Sequence, residues 1–323
     1  MATAILVLAE QLRGEIADIT FEMLGAGRKL ASASGVPLYA ALLGSEAAPL
    51  AARLGLADKV FVADQPQLNL APAHTIAVAL KAILDQAQVG LVLIGGTNGS
   101  IGIGSFLSAK TGLPLVNFGR AAKLEAGAVV VTSQLFGGKI LSDVKLADGR
   151  GIVSIYPGAF PVEAGKSEGT PSVEKVDVAI EAPKVSFKQY LEPEKGDVDI
   201  TKQSVLVGVG RGMQTQDNVQ LAEDLARILG GAVCASRPVI DQGWLPLSRQ
   251  VGKSGMTVKP RVYLALGISG APEHWEGMQN SQCIIAVNTD PKAPIFDGAH
   301  YGVVGDVLEL LPILIDKVKA RKG

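Results

Sequence analysis

Gly252-Lys253-Ser254, inside the run QVGKSGMTV at 250–258, is how a phosphate-binding loop ends. A triphosphate site of that kind needs G-x-x-x-x-G-K-[ST], entered from a strand and left into a helix, so that backbone amides wrap the phosphates. Its leading glycine would fall at position 247, which is Leu247. Met256-Thr257-Val258, then Lys259-Pro260, is no helix start either. These residues do not form a triphosphate loop, and their role depends on what the rest of the chain places beside them.

Other polar residues recur at regular places in the second half. Apolar runs at 205–208, 232–235, 262–266, 284–287 and 301–304 read as strands. Gly210-Arg211-Gly212 follows the first, Ser236-Arg237 the second and Gly267-Ile268-Ser269-Gly270 the third, while Asn288 and Gly305-Asp306 follow the fourth and fifth. In an open parallel sheet a ligand binds beyond the carboxyl ends of the strands, where loops and helix starts converge. Each residue alone has a plainer reading. Asp306 suits a helix cap, Arg211 and Arg237 suit surface ion pairs, Asn288 suits a turn, and His274 falls in a helix's first turn. Together, at five strand ends, they describe a nucleotide-type pocket. In the first half, Gly95-Gly96-Thr97-Asn98-Gly99-Ser100-Ile101-Gly102 runs from a strand into a helix and could cradle an anion. It matches no complete dinucleotide fingerprint, so tight-turn geometry explains it better.

The elements that must position these residues form an α/β chain. Strands at 5–8, 38–43, 60–62 and 91–94 alternate with helix-length segments at 16–34, 46–54 and 73–87, which predicts a parallel sheet covered on both faces. The β-type runs 128–132 and 151–156 lack helical spacers and are expected as antiparallel additions at the sheet edge. Residues 161–203, with EAPK and LEPEKGD, read as an extended crossover and linker. The expected division is an N-terminal doubly wound α/β domain with added β-strands (1–187), a linker (188–203) and a C-terminal parallel-sheet domain (204–323). Within the last, Asp217 is expected to cap a helix carrying Gln220 and the stacked Leu221, Leu225 and Leu229. Asp306-Val307-Leu308-Glu309 is expected to start another.

Composition bounds the rest. The chain has 323 residues, 48% of them hydrophobic, and a net charge of −1. That supports two packed cores and argues against nucleic acid or a membrane surface, which favour a basic excess. No apolar run is long enough to insert in a bilayer. Two cysteines, Cys234 and Cys283, and three histidines give no zinc spacing. The cysteines fit buried hydrophobes in a reducing compartment, and MATAILVLAE has neither a secretory nor a transit layout, so a cytoplasmic protein is expected.

Residues 235–296, ASRPVIDQGWLPLSRQVGKSGMTVKPRVYLALGISGAPEHWEGMQNSQCIIAVNTDPKAPIF, resemble the signature region of the electron transfer flavoprotein α subunit. GVGRG before them and YGVVGDVLELLP after them extend the likeness over the second domain. The first domain is similar in layout and ends in Gly158-Ala159-Phe160, with Tyr156 where the family pattern has Arg. The resemblance implies FAD as cofactor. It implies Arg211 near the nucleotide end, Ser236 and Arg237 against the isoalloxazine, and Gln250, Val251, Gly252, Lys253 and Ser254 along the flavin, with the Ser254 hydroxyl reaching N5. It implies that Ser269, Gly270, Ala271, Pro272, Glu273 and His274 bind the pyrophosphate at a helix start, with His274 by the flavin O2. Asn288 and Asp306, with Val307 beside them, would hold the adenosine portion. The family often carries Gln and Thr where Lys253 and Ser254 stand.

Arg237, Ser254 and His274 are then the residues that would tune the redox chemistry. One-electron reduction puts negative charge on the flavin N1–C2–O2 edge, and fixed donors or cations there stabilise the anionic one-electron state. The implied protein is an electron carrier without substrate turnover of its own. It would pair with a β subunit that holds AMP or a second FAD. Its donors would be dehydrogenases of the acyl-CoA type, as in fatty acid β-oxidation, and its acceptor quinone-linked or soluble. Two alternatives stand beside it: a bifurcating relative that oxidises NADH with a second FAD on the partner, and a non-redox subunit whose pocket holds a nucleotide.

Overall fold

Near-continuous apolar runs flanked by glycine make strands that are buried on both faces, and such strands build parallel sheets. The computed structural model, which describes residues 3–181, 185, 187–190 and 197–322, has two of them. The chain divides into two units, Met1–Gln189 and Tyr190–Gly323. No helix among the described residues is long and apolar enough to cross a membrane.

In the first unit the strands are β1 (Ile5–Ala9), β2 (Leu38–Gly44), β3 (Lys59–Asp64), β4 (Leu91–Gly95), β5 (Leu115–Glu125), β6 (Ala128–Leu135), β7 (Ile140–Leu146), β8 (Gly151–Ile155) and β9 (Ser172–Lys175). They form a nine-stranded sheet in the order β9-β3-β2-β1-β4-β8-β5-β6-β7. Helices α1 (Asp18–Ser34), α2 (Ala73–Ala87) and α3 (Ile103–Thr111) supply crossovers, and separate apolar clusters lie on its two sides. The segment expected as a helix near 46–54 is a 3-10 turn, Ala48–Arg53.

Two expectations change here. Strand β6 is antiparallel to β5 and β7, as its missing spacers suggest. Strand β8 is not an edge addition: it inserts between β4 and β5, parallel to both. Four of the five residues of GIVSI are buried, on both faces, which suits a central strand. The stretch from 161 onward is more than a linker, because Ser172–Lys175 pairs in parallel with β3 at the sheet edge. Lys59 fastens it there, 2.8 Å from Glu174. Residues 182–184 and 191–196, parts of EAPK and LEPEKGD, lie outside the described residues.

Buried carboxylates organise the loops of this unit. Glu22, inside α1, accepts from the amides of Gly158 (2.8 Å) and Phe160 (3.2 Å). The Gly-Ala-Phe signature is thus a backbone clamp on a buried anion. Glu10, at the end of β1, accepts from Thr97 Oγ1 (2.7 Å) and Ser100 Oγ (2.6 Å). The loop after β4 therefore holds a carboxylate of the protein itself. Burial pushes the Glu10 carboxyl above its ordinary range, although both hydroxyls oppose the shift.

The second unit contains β10 (Val205–Val209), β11 (Ala232–Ala235), β12 (Val262–Leu266), β13 (Cys283–Asn288) and β14 (Tyr301–Val304). They pair in parallel in the order β11-β10-β12-β13-β14. The helices are α4 (Gln216–Leu229), α5 (Arg237–Asp241), α6 (Pro272–Met278), α7 (Ile295–Gly298) and α8 (Val307–Lys322). Leu225 of α4 is fully buried, with Leu221 and Leu229 packed beside it. Thr215, not Asp217, is the residue before α4, and it makes no side-chain cap bond. Asp217 lies in the first turn, where its charge still favours the helix's positive end. Asp306 does cap α8, accepting from Leu308 N at 2.8 Å.

Glu22→Ala strips the partner from the amides of Gly158 and Phe160, so we expect a loss of about 3 kcal/mol in urea unfolding of the chain. An unchanged unfolding midpoint would show that the clamp contributes nothing. Burial of ionised Glu10 costs stability that is absent when the group is protonated. Its contribution is full below the ordinary carboxylate range near pH ~4 and is lost as pH rises through its elevated value. Glu10→Gln should therefore flatten the pH dependence just above that range in the same titration.

Candidate functional site

Five parallel strands end at one edge of the second unit, and a cavity of about 700 Å³ lies there. That size lies within the range of small-molecule and cofactor sites. Every residue that the resemblance assigns to the cofactor lines it except Gly270 and Pro272. Gly270 takes φ +86° against the backbone of Ile295, and Pro272 opens α6. These two shape the turn into α6 without facing the cavity.

The 250–256 loop is held on three sides. Val251 N donates to Ala235 O (2.9 Å), Lys253 N to Glu273 O (2.7 Å) and Met256 N to Gln250 O (2.7 Å). Gly252 sits at φ +137°, where a Cβ would meet Glu273 O at 2.8 Å. Only glycine allows that approach. No helix follows, which matches the reading that this is not a triphosphate loop. Gln250 Nε2 donates to Ser254 Oγ at 2.9 Å, so the serine accepts and keeps its own hydroxyl proton for a ligand. Lys253 Nζ lies 3.9 Å from Glu276 Oε2, with the lysine side chain 56% exposed.

Behind Gln250, Arg249 reaches inward. Its Nε lies 2.5 Å from Asp197 Oδ1 and its Nη1 donates to Val233 O at 2.8 Å. Burial raises the Asp197 carboxyl, but hydrogen bonds from Ser248 and Arg249 outweigh it and hold the group below its usual range.

The other lining groups come from strand ends. Arg237 opens α5, its side chain 65% exposed and its Nε 3.5 Å from Asp241 Oδ2. An exposed pair of this kind is worth about 0–1 kcal/mol, so the guanidinium can trade it for a ligand contact. Asn288 Nδ2 donates to Ile268 O (3.0 Å) while its Oδ1 accepts from Asp290 N (2.9 Å). Arg211 begins a short 3-10 turn after β10.

His274 differs from its expected role. Its Nδ1 lies 3.1 Å from Val251 O and its Nε2 3.0 Å from Tyr263 Oη. The side chain is buried, and burial pushes its pKa down to about 4 despite the opposing Val251 bond. The ring is neutral, and neither nitrogen is spare to donate into the cavity.

Sequence reasoning missed Gln214, Thr289 and Asp241, which also line the cavity. Asp241 stands four residues after Arg237, a spacing that predicts the ion pair. Gln214 carries φ +64°, which no residue pattern announces.

A parallel sheet with loops and paired cations at its carboxyl edge defines a nucleotide-cofactor domain. Residues 5–181 match the family described as the electron transfer flavoprotein domain, and residues 199–279 match the electron transfer flavoprotein FAD-binding domain. The chain belongs to the electron transfer flavoprotein family, on the α-subunit side. It is 36% identical to the protein FixB of Clostridium saccharobutylicum over 97% of this chain and 95% of that one. It is 34% identical to the electron transfer flavoprotein subunit alpha of Megasphaera elsdenii, covering 99% of this chain and 97% of that one. It is 33% identical to the lactate dehydrogenase (NAD(+),ferredoxin) subunit LctC of Acetobacterium woodii, covering 99% of this chain and 78% of that one. Relatives named as electron transfer flavoprotein subunits are, by those names, electron carriers.

His274 predicts a pH signature. Its folded pKa is depressed below the ordinary value near 6.5, so its contribution is full above that value and is lost as pH falls toward about 4. The loss should reach about 2 kcal/mol, read as urea midpoints from pH 7 to 4.5. His274→Gln should flatten that limb, and an equally steep limb in the variant would remove histidine as its source.

Proposed function

We propose that this chain is the FAD-carrying α subunit of a heterodimeric electron transfer flavoprotein. It receives electrons from dehydrogenases of the acyl-CoA type and passes them to a quinone-linked or soluble acceptor. The observation that carries the reading is the convergence of Arg211, Arg237, Lys253, Ser254 and Asn288 on one cavity of a domain matched as FAD-binding. The fit to FAD is good on the chain's own geometry: two guanidiniums and an ammonium suit an anionic cofactor, and residues 250–254, drawn close to Glu273 O at Gly252, supply one wall.

FAD, when bound, takes up and releases electrons one at a time. The chain's residues do the rest. Arg237 and Lys253, both lining the cavity, would supply positive charge to a ring that gains negative charge on reduction. Gln250 turns Ser254 so that its hydroxyl is offered to the ring. Asn288 and Asp306, fixed by their own turns, supply polar edges for the adenosine end. His274 contributes shape and a neutral dipole. The partner is a β subunit, met by the amino-terminal domain and, in this reading, holding AMP. Both cysteines are unpaired, which suits a reducing, cytoplasmic setting.

A second reading is favoured by the LctC relative, whose name couples NAD(+) and ferredoxin. In a bifurcating complex the partner would hold a second FAD. One flavin per heterodimer supports the carrier reading, and two support bifurcation.

The visible spectrum of the chain co-expressed with its β subunit should show bound flavin, and a colourless complex would end the proposal. In the bound complex, Arg237→Ala should lower the potential of the first electron by about 60 mV, a tenfold change in that equilibrium. An unchanged potential would remove Arg237 from the tuning role while leaving FAD binding intact.

A further inference from the structure

Behind the cavity wall, side chains from two strands and one helix are joined in a line of hydrogen bonds. Cys234 Sγ lies 3.5 Å from Tyr263 Oη, Tyr263 Oη 3.0 Å from His274 Nε2, and His274 Nδ1 3.1 Å from Val251 O. A carbonyl oxygen only accepts, so Nδ1 carries the ring proton and Nε2 is bare. The tyrosine hydroxyl must then donate to Nε2, and its oxygen accepts from the thiol. Each direction follows from the last.

The far end of the line is sealed from water. Tyr263 and Cys234 are both 0% exposed. Burial pushes the thiol up to about 12 and raises the phenol well above its ordinary value, so both keep their protons. Gly208, on the neighbouring strand and paired with Ala265, makes room for the ring: a Cβ at that position would collide with Tyr263 Oη. A tyrosine is seated here because the adjacent strand has no side chain to exclude it.

We propose that Tyr263 is the positioning residue of this site: seated over Gly208 and donating to Nε2, it locks His274 as the Nδ1–H tautomer and thereby pins the Val251 carbonyl and the backbone of the 251–254 loop. The loop that offers Lys253 and Ser254 to the cavity is held from behind by a buried relay whose inner members, Tyr263 and Cys234, do not line the cavity. Positive charge at this end then comes from guanidinium and ammonium groups, with the imidazole neutral. The proposal concerns the chain's own residues, and its bearing on the flavin rests on the function proposed above.

The test reads the tautomer, so it can fail separately from FAD binding. The full chain, ¹⁵N-labelled at its three histidines, is examined by long-range proton–nitrogen NMR as purified and after cofactor removal. We expect His274 to be protonated at Nδ1 and bare at Nε2 in both forms. In Tyr263→Phe and in Gly208→Ala, Nε2 should move toward the position of an unbonded lone pair. Amide exchange across residues 252–256 should rise about tenfold in both variants, the usual effect of losing one buried hydrogen bond. A protonated Nε2 in the unchanged chain overturns the proposal. So does either variant, folded by circular dichroism, in which Nε2 or the loop exchange stays as it was. If neither variant folds, the tautomer in the unchanged chain decides alone.

Discussion

A parallel sheet makes all of its strands end at the same edge, and the second domain depends on that constraint. Its five strands run in one direction, so residues far apart in sequence arrive at one cavity. The backbone there cannot continue as sheet, and its polar groups need partners. Loop amides meet loop carbonyls, as Val251 meets Ala235 and Lys253 meets Glu273. Side chains at that edge line the cavity. The chemistry proposed for the site follows from that geometry.

The same constraint acts differently in the first domain. There the carboxyl ends of β1 and β4 are bridged by Glu10 through Thr97 and Ser100. The protein's own carboxylate takes the hydroxyls that an outside anion would use. Glu22 plays a comparable part under Gly158 and Phe160. One architecture thus appears twice, once with its loops held by internal anions and once with its strand ends lining a cavity.

Much of this was legible in residue order. Apolar runs located ten strands within a residue or two, because a strand buried on both faces has little choice but Val, Ile, Leu and Ala. Polar residues after those runs named most of the cavity wall. Pairing was harder to read. Gly151–Ile155 looked like an edge addition, yet it entered the sheet between β4 and β5. Ser172–Lys175 looked like linker, since a short polar strand carries no periodic signal until it meets β3. Asp217 looked like a cap, but Thr215 stood one turn-position ahead of the helix.

Residue order by itself determined the class of fold, the family and most of the residues that line the cavity, because strand ends and loop motifs are local features. Only the tertiary structure decided what those residues can do. Lys253 stands within reach of Glu276, Arg237 is paired with Asp241, and His274 is neutral between a carbonyl and a buried phenol. Charge and proton position depend on burial and on partners drawn from distant strands. Tyr263, 11 residues before His274 and 29 after Cys234 in the chain, becomes their common neighbour only when the sheet is assembled.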